Sequence, residues 1–340
     1  MNILTTNINS QEIKAYWEEK SENTTLEYLG RAMFPETKQM DLSLSFIKGR
    51  TGAPVALKPS AYDANVVLRD RLPVETLATE IPFFKEAILV KEKERRDLLT
   101  LGAKNPQMAD IVLARIFNDN GELIRGAHVQ AERMRMQLLT QGKIAIADEN
   151  GVNLDYDYGF DSATQTVTLT GADTWDKATA DPLQDLIDAT MDMDNVELAI
   201  MNKVTWGHLL KSPSLANFLG KEVIVTQQML RDYIRTEIGI EVVVYDKQYA
   251  TELNGTVKKY VPDGVVSLTP KVVGQTVYSV TPEEIDMMAG GEADVSVVEL
   301  AIAVTTIPNS DPMNVTTKVS QCVLPSFEQV DNIKILNVLE

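Results

Sequence analysis

The sequence predicts an α+β fold, in which one long helix runs into a hairpin and a later region alternates short strands with helices. The long helix lies within residues 118 to 146. Its small and apolar residues recur at steps of three and four, which places them on one helical face: Ile124, Ala127, Ala131, Met134 and Leu138. After the helix the apolar spacing changes to two, as in a strand.

Both ends of this helix carry terminating residues. Asp119, Asn120 or Gly121 is expected to cap its start, and Gly142 is expected to stop it in the left-handed conformation. The helix would then be about five turns long. Its polar side chains are expected largely on the side opposite the apolar face: Arg125, Glu132, Arg133, Arg135 and Gln137.

A hairpin is predicted directly after the helix. Ile144 and Ile146 alternate with polar residues, Asn150-Gly151 forms a turn, and a second alternating run follows up to Tyr158.

Charge restricts the function classes. The 340 residues include 49 acidic and 32 basic side chains, a formal net charge of −17. Most of such a surface would repel nucleic acid, so sequence-reading DNA recognition is not expected. The 44% of hydrophobic residues are enough for a substantial core, in two domains or one elaborate one.

The sequence predicts synthesis in the cytoplasm. Cys322 is the only cysteine, so no internal disulfide can form, and the first residues lack the basic and apolar parts of an export signal. The most apolar run, Val295 to Ile307, contains Glu299 and is shorter than the ~20 residues that span a bilayer. We interpret it as one buried strand.

Residues 1 to 45 contain only short apolar groups, among them Ile13, Trp17 and Phe34. They can hardly form a core, so we expect an arm that lies over other parts of the molecule or over a neighbouring copy. A frayed terminus is the alternative.

An extended excursion follows from about Leu42 to Leu89, with repeated glycines and prolines and no strong helical pattern. Its first part is mostly basic, which in so acidic a chain suggests contact with an acidic surface, most simply another copy of the chain. The candidate interface residues are Lys48, Arg50, Lys58, Arg69 and Arg71. A solvated loop is the alternative.

A compact α/β unit is predicted from about residue 181. Asp181-Pro182 starts a helix that continues to about Met193, and Glu197 to Met201 forms a strand. A helix over Lys203 to Leu210 follows. The next helix is capped by Thr226 and ended by Gly239, and a strand begins at Glu241.

Two turns and two strands are predicted in the last third of the chain. Asn254-Gly255 is expected to form a type I′ hairpin turn with positive φ at both residues, and Pro262-Asp263-Gly264 a second turn. Thr317 to Val323 and Asn332 to Leu339 are expected to be strands.

Catalytic and metal-binding patterns are sparse. His128 and His208 are far apart and are expected to have packing or structural roles, and Cys322 is expected to be a small buried hydrophobe. The acidic series at 181, 185, 188, 192 and 194 lacks the shaped loop of a calcium site, so a solvated face is favoured. No catalytic residue, metal site or cofactor is predicted. A metal-dependent hydrolase using these aspartates and a monomeric binding module remain as alternatives.

Four stretches resemble the lambda-type major capsid proteins of tailed bacteriophages. They are Val242 to Tyr249, Asn254 to Asp263, the helix end Thr140-Gln-Gly-Lys143 that runs into a hairpin, and Lys318 to Pro325. The order and spacing of these segments agree over nearly the whole chain.

This resemblance implies the Hong Kong 97-type capsid fold, with a spine helix. Residues 1–45 would be the N-terminal arm, 46–88 the E-loop, 89–180 with 308–340 the peripheral domain, and 181–307 the axial domain. The protein would be no enzyme but would self-assemble into the icosahedral head around double-stranded DNA, as hexamers and pentamers built in the host bacterial cytoplasm. Expected partners are a separate scaffolding protein and a portal, with the use of a decoration protein left open, and with no membrane and no sequence-specific DNA contact. An encapsulin-like compartment is the alternative.

Overall fold

The computed structural model describes residues 8–22, 28–47, 76–104, 106–147, 153–193, 195–215, 226–252 and 255–339. These residues mix helices and strands, which confirms the α+β class. The chain forms two compact units, each assembled from three separate stretches. Unit 1 comprises residues 1–44, 79–135 and 275–326, and unit 2 comprises residues 45–78, 136–274 and 327–340.

The helices are α1 Ser10–Glu22, α2 Leu29–Met33, α3 Glu92–Lys104, α4 Pro106–Gln141, α5 Ser162–Gln165, α6 Pro182–Met191, α7 Lys203–Lys211, α8 Gln227–Tyr233 and α9 Pro282–Met288. The strands are β1 Glu36–Gln39, β2 Ser43–Ile47, β3 Thr76–Glu80, β4 Phe83–Val90, β5 Lys143–Ala147, β6 Asn153–Asp157, β7 Thr166–Thr168, β8 Leu198–Met201, β9 Glu241–Val244, β10 Gln248–Ala250, β11 Val257–Lys259, β12 Val265–Thr269, β13 Thr276–Ser279, β14 Asp294–Val298, β15 Ile302–Ser310, β16 Met313–Pro325 and β17 Lys334–Asn337. Short 3₁₀ turns cover Gly171–Asp173 and Val330–Asn332, and a π-helical turn, Ile234–Ile238, extends α8.

The sheet of unit 1 is built around β16, which is 13 residues long. The strand order is β1-β13-β16-β15-β14, and β4 also pairs with β16. All pairings are antiparallel except that between β1 and β13, which is parallel. The N-terminal segment is therefore a member of a sheet whose other strands, apart from β4, all lie beyond residue 275.

The core of unit 1 includes the N-terminal helix. Ile13 and Trp17 of α1 pack with Ile124 of α4 and with Val304 and Val319 of the sheet. Of the two placements expected for the N-terminal region, residues 8–22 and 28–39 adopt the first, over other parts of the same chain. Burial of these large apolar side chains explains why this segment is not a frayed terminus.

Unit 2 contains a five-stranded mixed sheet of order β7-β17-β12-β8-β9. Every residue of β8 and β12 is buried, which matches the continuous apolar sequence of β8, whereas β12 also buries Ser267 and Thr269. Helices α6, α7 and α8 contribute Leu183, Trp206 and Leu230 to the core against this sheet. The predicted α/β unit is thus present.

Local capping residues in unit 2 act as predicted. The Asp181 side chain accepts a hydrogen bond from the backbone N–H of Gln184 at the start of α6, and Thr226 accepts one from Met229 at the start of α8. Gly239 follows α8 and its π turn with φ 83°, and Gly264 has φ 75° in the predicted second turn. A short polar side chain can accept an otherwise unpaired backbone N–H at a helix start, and glycine adopts positive φ without a steric penalty.

The long helix begins earlier than predicted. α4 starts at Pro106 and is 36 residues long, so Asp119, Asn120 and Gly121 lie inside it and cap nothing. Trp17 of α1 packs beside Gly121, with its ring 3.8 Å from where a Cβ would lie. The predicted end is confirmed, because α4 stops at Gln141 and Gly142 has φ 73°.

The predicted hairpin after α4 is confirmed by the antiparallel pairing of β5 with β6. Its turn, at Asn150-Gly151, lies outside the described residues.

The hairpin near Asn254-Gly255 is also present, with β10 antiparallel to β11. Ala250 pairs with Val257, and the N–H of Gly255 donates to the carbonyl of Glu252 at 3.0 Å. Asn254 lies outside the described residues, so the type I′ turn at Asn254-Gly255 stays a prediction.

The apolar run from Val295 to Ile307 is two strands rather than one. β14 and β15 form an antiparallel hairpin, and the chain reverses at Glu299, which has φ 48°. Nothing in the sequence marks this turn, because glutamate rarely adopts positive φ.

The predicted division into arm, loop, peripheral and axial parts refers to an assembled shell and stays a prediction. The two compact units divide the chain at other positions, after residues 44, 78, 135, 274 and 326.

Candidate functional site

The most unusual feature of unit 1 is a buried arginine on α4. Arg135 is 2% exposed, although its spacing predicted the side opposite the apolar face. Its Nε donates to the hydroxyl of Thr276 at 2.8 Å, and its terminal nitrogens lie 3.0 Å from Glu36 and 3.6 Å from Glu132. Two carboxylates and a hydroxyl thus offset the cost of burying the guanidinium.

Glu132 is fully buried one turn before Arg135 and binds the N-terminal segment directly. Its Oε1 accepts a hydrogen bond from the backbone N–H of Gly30 at 3.0 Å. A Cβ at Gly30 would lie 2.6 Å from Oε2 of Glu132 and 2.9 Å from Cβ of Arg135. Only glycine permits α2 to approach α4 this closely.

Glu36, the first residue of β1, joins two arginines. It lies 3.0 Å from Arg135 and 2.8 Å from Arg31, and it accepts a hydrogen bond from the hydroxyl of Tyr278. Burial raises the pKa of Tyr278 above its usual range, so the phenol stays protonated and remains a donor.

Glu299, at the β14–β15 turn, is the second carboxylate bound by Arg31. Its carboxylate accepts from Arg31 at 3.1 Å and from the indole of Trp17 at 3.4 Å. Nε2 of His128 lies 3.2 Å from it, and the His128 ring stacks on Trp17 with centroids 5.9 Å apart. The expected packing role of His128 is therefore observed, together with a contact to a carboxylate that the sequence did not indicate.

We call the six linked residues the clamp: Arg31, Glu36, His128, Glu132, Arg135 and Glu299. Along these contacts Glu299, Arg31, Glu36, Arg135 and Glu132 alternate in charge, and the six residues join α2 and β1 to α4 and to the β14–β15 turn. The clamp therefore fixes the N-terminal segment to the body of its own unit.

The clamp should make unit 1 sensitive to acid through Glu299. Contact with His128 lowers the pKa of Glu299 to about 2. Arg31 and Trp17 also lower it, whereas burial opposes the shift. A carboxyl whose pKa is lowered on folding stabilises the folded state above its usual pKa near 4.5, and this contribution disappears as the pH falls towards 2. The Glu299→Gln variant keeps a similar backbone and removes the charge.

We expect Glu299→Gln to be less stable than the wild type at pH 6, with the difference shrinking between about pH 4.5 and pH 2. Thermal unfolding of unassembled subunits by circular dichroism at stepped pH measures this. Glu122→Gln is the control, because Glu122 is 57% exposed in its pair with Arg125. A difference between wild type and Glu299→Gln that stays constant over this range would contradict the assignment.

The residues predicted to contact another subunit cannot be compared with the structure. Lys48, Arg50, Lys58, Arg69 and Arg71 all lie outside the described residues, as does Asn254 of the hairpin turn.

The acidic series has structural partners. Asp181 caps α6, and Asp185 accepts a hydrogen bond from the indole of Trp175 at 2.8 Å, while burial raises its pKa. Asp194 lies outside the described residues. Within the described ranges, no three His, Cys, Asp or Glu side chains come together as metal ligands would.

The remaining candidates for chemistry also have simple environments. Cys322 is buried, and desolvation raises the pKa of its thiol to about 11, so it is the small buried hydrophobe that the sequence predicted. His208 lies partly buried in the last turn of α7. Among the helices of the described residues, none is both long and apolar enough to cross a membrane.

Sequence reasoning missed Glu132, Arg135 and Glu299. One signal was available: the apolar residues of 131–139 cover more than half of the circumference of α4, and Glu132 and Arg135 fall within that apolar arc. Charged residues inside such a segment should have been expected in buried pairs. Glu299 gave a similar signal, because it is the one charged residue in the apolar run Val295 to Ile307.

Comparison with protein families gives a match over residues 9–338 to the model described as phage major capsid protein E. The match spans both units. It favours a phage capsid protein over the encapsulin alternative. A search of curated proteins gives no match.

Two solved structures share the fold. One is a prophage protein of Escherichia coli CFT073 that is assigned a capsid role, with 12% identity, a TM-score of 0.61 and coverage of 97% of this chain and 99% of that chain. The other is a phage-related protein from Bordetella bronchiseptica RB50, with 14% identity, a TM-score of 0.50 and coverage of 97% and 96%. The Hong Kong 97-type fold implied by the resemblance is thereby confirmed.

Proposed function

This chain belongs to the phage major capsid protein E family, and from that membership we propose that its copies close into an icosahedral head shell around the double-stranded DNA of a tailed phage. As a shell-forming major capsid protein it is a structural component of the virion. The observation that carries the proposal is the family match over residues 9–338.

The charge of the chain supports this function. A net charge of −17 would give the inner surface of a shell a potential that repels DNA phosphates. DNA could then be packed and released without adhering to the wall. A shell protein needs this property, whereas a sequence-reading DNA-binding protein needs the reverse.

The clamp supports a role for unit 1 as a firm building block. It holds the N-terminal segment by buried ion pairs instead of leaving it to be ordered by neighbours. Rigid subunits lose less conformational entropy when they assemble. We extend the proposal to the predicted arm, E-loop, peripheral and axial parts, to assembly in the host bacterial cytoplasm, and to a separate scaffolding protein, portal and decoration protein as partners.

Co-expression tests the proposal. The chain produced together with a scaffolding protein of the same phage should form hexamers, pentamers and closed shells, visible by sedimentation and negative-stain microscopy. Expression without the scaffold is the control and should give fewer or irregular shells. Uniform monomers or dimers under all conditions would favour a monomeric binding module instead.

The contact predicted for the basic residues can be tested in the same assembly experiment. We propose that Lys48, Arg50, Lys58, Arg69 and Arg71 meet carboxylates of a neighbouring copy. One exposed pair contributes only about 0.2–1 kcal/mol, but a closed shell repeats each pair many times. Reversing Arg69 and Arg71 to glutamate should leave circular dichroism unchanged, raise the concentration needed for assembly and increase its salt sensitivity in light scattering. Assembly at the wild-type concentration and salt would point to an apolar contact.

A further inference from the structure

One region of unit 1 exposes an unusual number of large apolar side chains. We call it the Met face, and its members are Met40 (74% exposed), Leu42 (45%), Ile285 (56%), Met287 (37%), Met288 (58%) and Leu300 (39%).

Two sets of polar contacts bring the segments that carry these residues together. Lys38 binds the Glu284 carboxylate of α9 at 3.0 Å and the carbonyl of Leu300 at 3.0 Å. The hydroxyl of Ser279 donates to the carbonyl of Asp41 at 2.9 Å, which holds Met40 and Leu42 beside the start of α9. These contacts place Met40, Leu42 and Leu300 near α9, which carries Ile285, Met287 and Met288.

The polarity of α9 is the reverse of that of an ordinary surface helix. Its one buried side chain is Glu284, which is 0% exposed and paired with Lys38, whereas Ile285, Met287 and Met288 face solvent. Folding alone would favour the opposite arrangement. A cluster of exposed apolar side chains with a polar rim is typical of an interaction site.

The rim of the Met face is acidic. Asp41, Asp286 and Glu292 are exposed. The nearby basic residues Lys38 and Lys318 are already engaged by Glu284 and Glu283. A partner with an apolar stripe flanked by lysine or arginine would complement this surface in shape and charge.

We propose that the Met face binds a basic amphipathic helix carried by a separate protein. Methionine side chains are flexible and polarizable, so they adapt to the i, i+3, i+4 and i+7 side chains of a docking helix. Contact between two Met faces is disfavoured because it would bring two acidic rims together. The proposal concerns a surface of unit 1 and does not depend on how shells close.

Methionine oxidation tests the proposal directly. The probe is a synthetic peptide of about 16 residues with leucines at helical spacing and lysines elsewhere, and its control is a scrambled peptide of the same composition. With unassembled subunits and saturating probe, hydrogen peroxide should oxidise Met40, Met287 and Met288 several-fold more slowly. Met191 and Met313, which are 72% and 57% exposed, should react at unchanged rates and serve as internal references.

Substitutions provide the matched controls. Ile285→Ser with Met288→Ser should weaken binding of the labelled probe at least tenfold in fluorescence anisotropy. Val257→Ser with Met313→Ser replaces side chains of similar exposure elsewhere and should leave binding unchanged. Asp286→Lys with Glu292→Lys should weaken binding and reduce its salt dependence. Circular dichroism checks that each variant folds.

Three outcomes would overturn the proposal. The scrambled peptide could protect the Met face equally, or the control variant could lose as much affinity, and either would show unspecific adhesion. The third is protection of Met40, Met287 and Met288 in shells assembled without any other protein. That result would make the Met face a contact between copies of this chain, whether or not the proposed shell forms as expected.

Discussion

Replacing Arg135 with methionine should destabilise unit 1 by about 3–5 kcal/mol, because it leaves Glu132 and Glu36 without their buried cation. Arg135 is 2% exposed and Glu132 is 0% exposed, so solvent cannot compensate the lost ion pairs. Urea unfolding of unassembled subunits, followed by circular dichroism, measures the change.

Arg125→Met is the matched control for this prediction. Arg125 lies on the same helix and forms an i,i+3 pair with Glu122 at 2.7 Å, but both side chains reach solvent. Its replacement should cost no more than about 0.5 kcal/mol. Adding Glu132→Gln and Glu36→Gln to Arg135→Met should restore part of the stability, because no uncompensated charge remains buried. Equal effects of Arg135→Met and Arg125→Met would show that the clamp does not stabilise the unit.

Gly142→Ala should destabilise the protein by about 2–5 kcal/mol. Gly142 ends α4 with φ 73°, where an L side chain costs about 1–2 kcal/mol. A Cβ there would also overlap the ring of Phe160, which adds about 1–3 kcal/mol. The same urea titration measures the loss.

A second glycine of α4 gives a control of opposite sign. Gly126 lies within the helix, and a Cβ there would meet nothing within 4 Å. Gly126→Ala should therefore stabilise the protein by about 0.5–1 kcal/mol. If Gly142→Ala behaved like Gly126→Ala, the left-handed end of the helix would not constrain how the chain enters the following hairpin.

The position of the N-terminal segment has a consequence for assembly. Residues 8–22 and 28–39 complete the core and the sheet of their own unit, so they are part of the building block before copies meet. A clamp variant should therefore lower subunit stability and assembly together. Variants of the Met face, whose side chains are exposed, should leave subunit stability unchanged.

The sequence by itself determined the elements whose boundaries depend on local hydrogen bonds and φ. As predicted, helices begin after Asp181 and Thr226 and end just before Gly142 and Gly239. These positions are predictable because a capping side chain or a missing Cβ acts on backbone only a few residues away. The resemblance in the segments around Thr140 and Asn254 also led to the correct family, because it rests on short stretches that can be compared without knowledge of the tertiary contacts.

The start of α4 shows where local reasoning failed. Asp119, Asn120 and Gly121 resemble a helix start, but packing of Trp17 against Gly121 and burial of Ile116 and Leu123 keep the chain helical through them. Tertiary contacts outweighed a propensity difference of about 1 kcal/mol.

Only the tertiary structure decided the clamp and the Met face. Arg135 is buried because Glu36 and Thr276, about a hundred or more residues away in sequence, bind its guanidinium. Glu299, at the β14–β15 turn, has its carboxylate in contact with Arg31, Trp17 and His128. Likewise, Glu284 points inward because Lys38 on a distant strand pairs with it. Helical spacing specifies which residues share a face, but burial of a charge depends on a partner supplied by another part of the chain, and spacing contains no information about that partner.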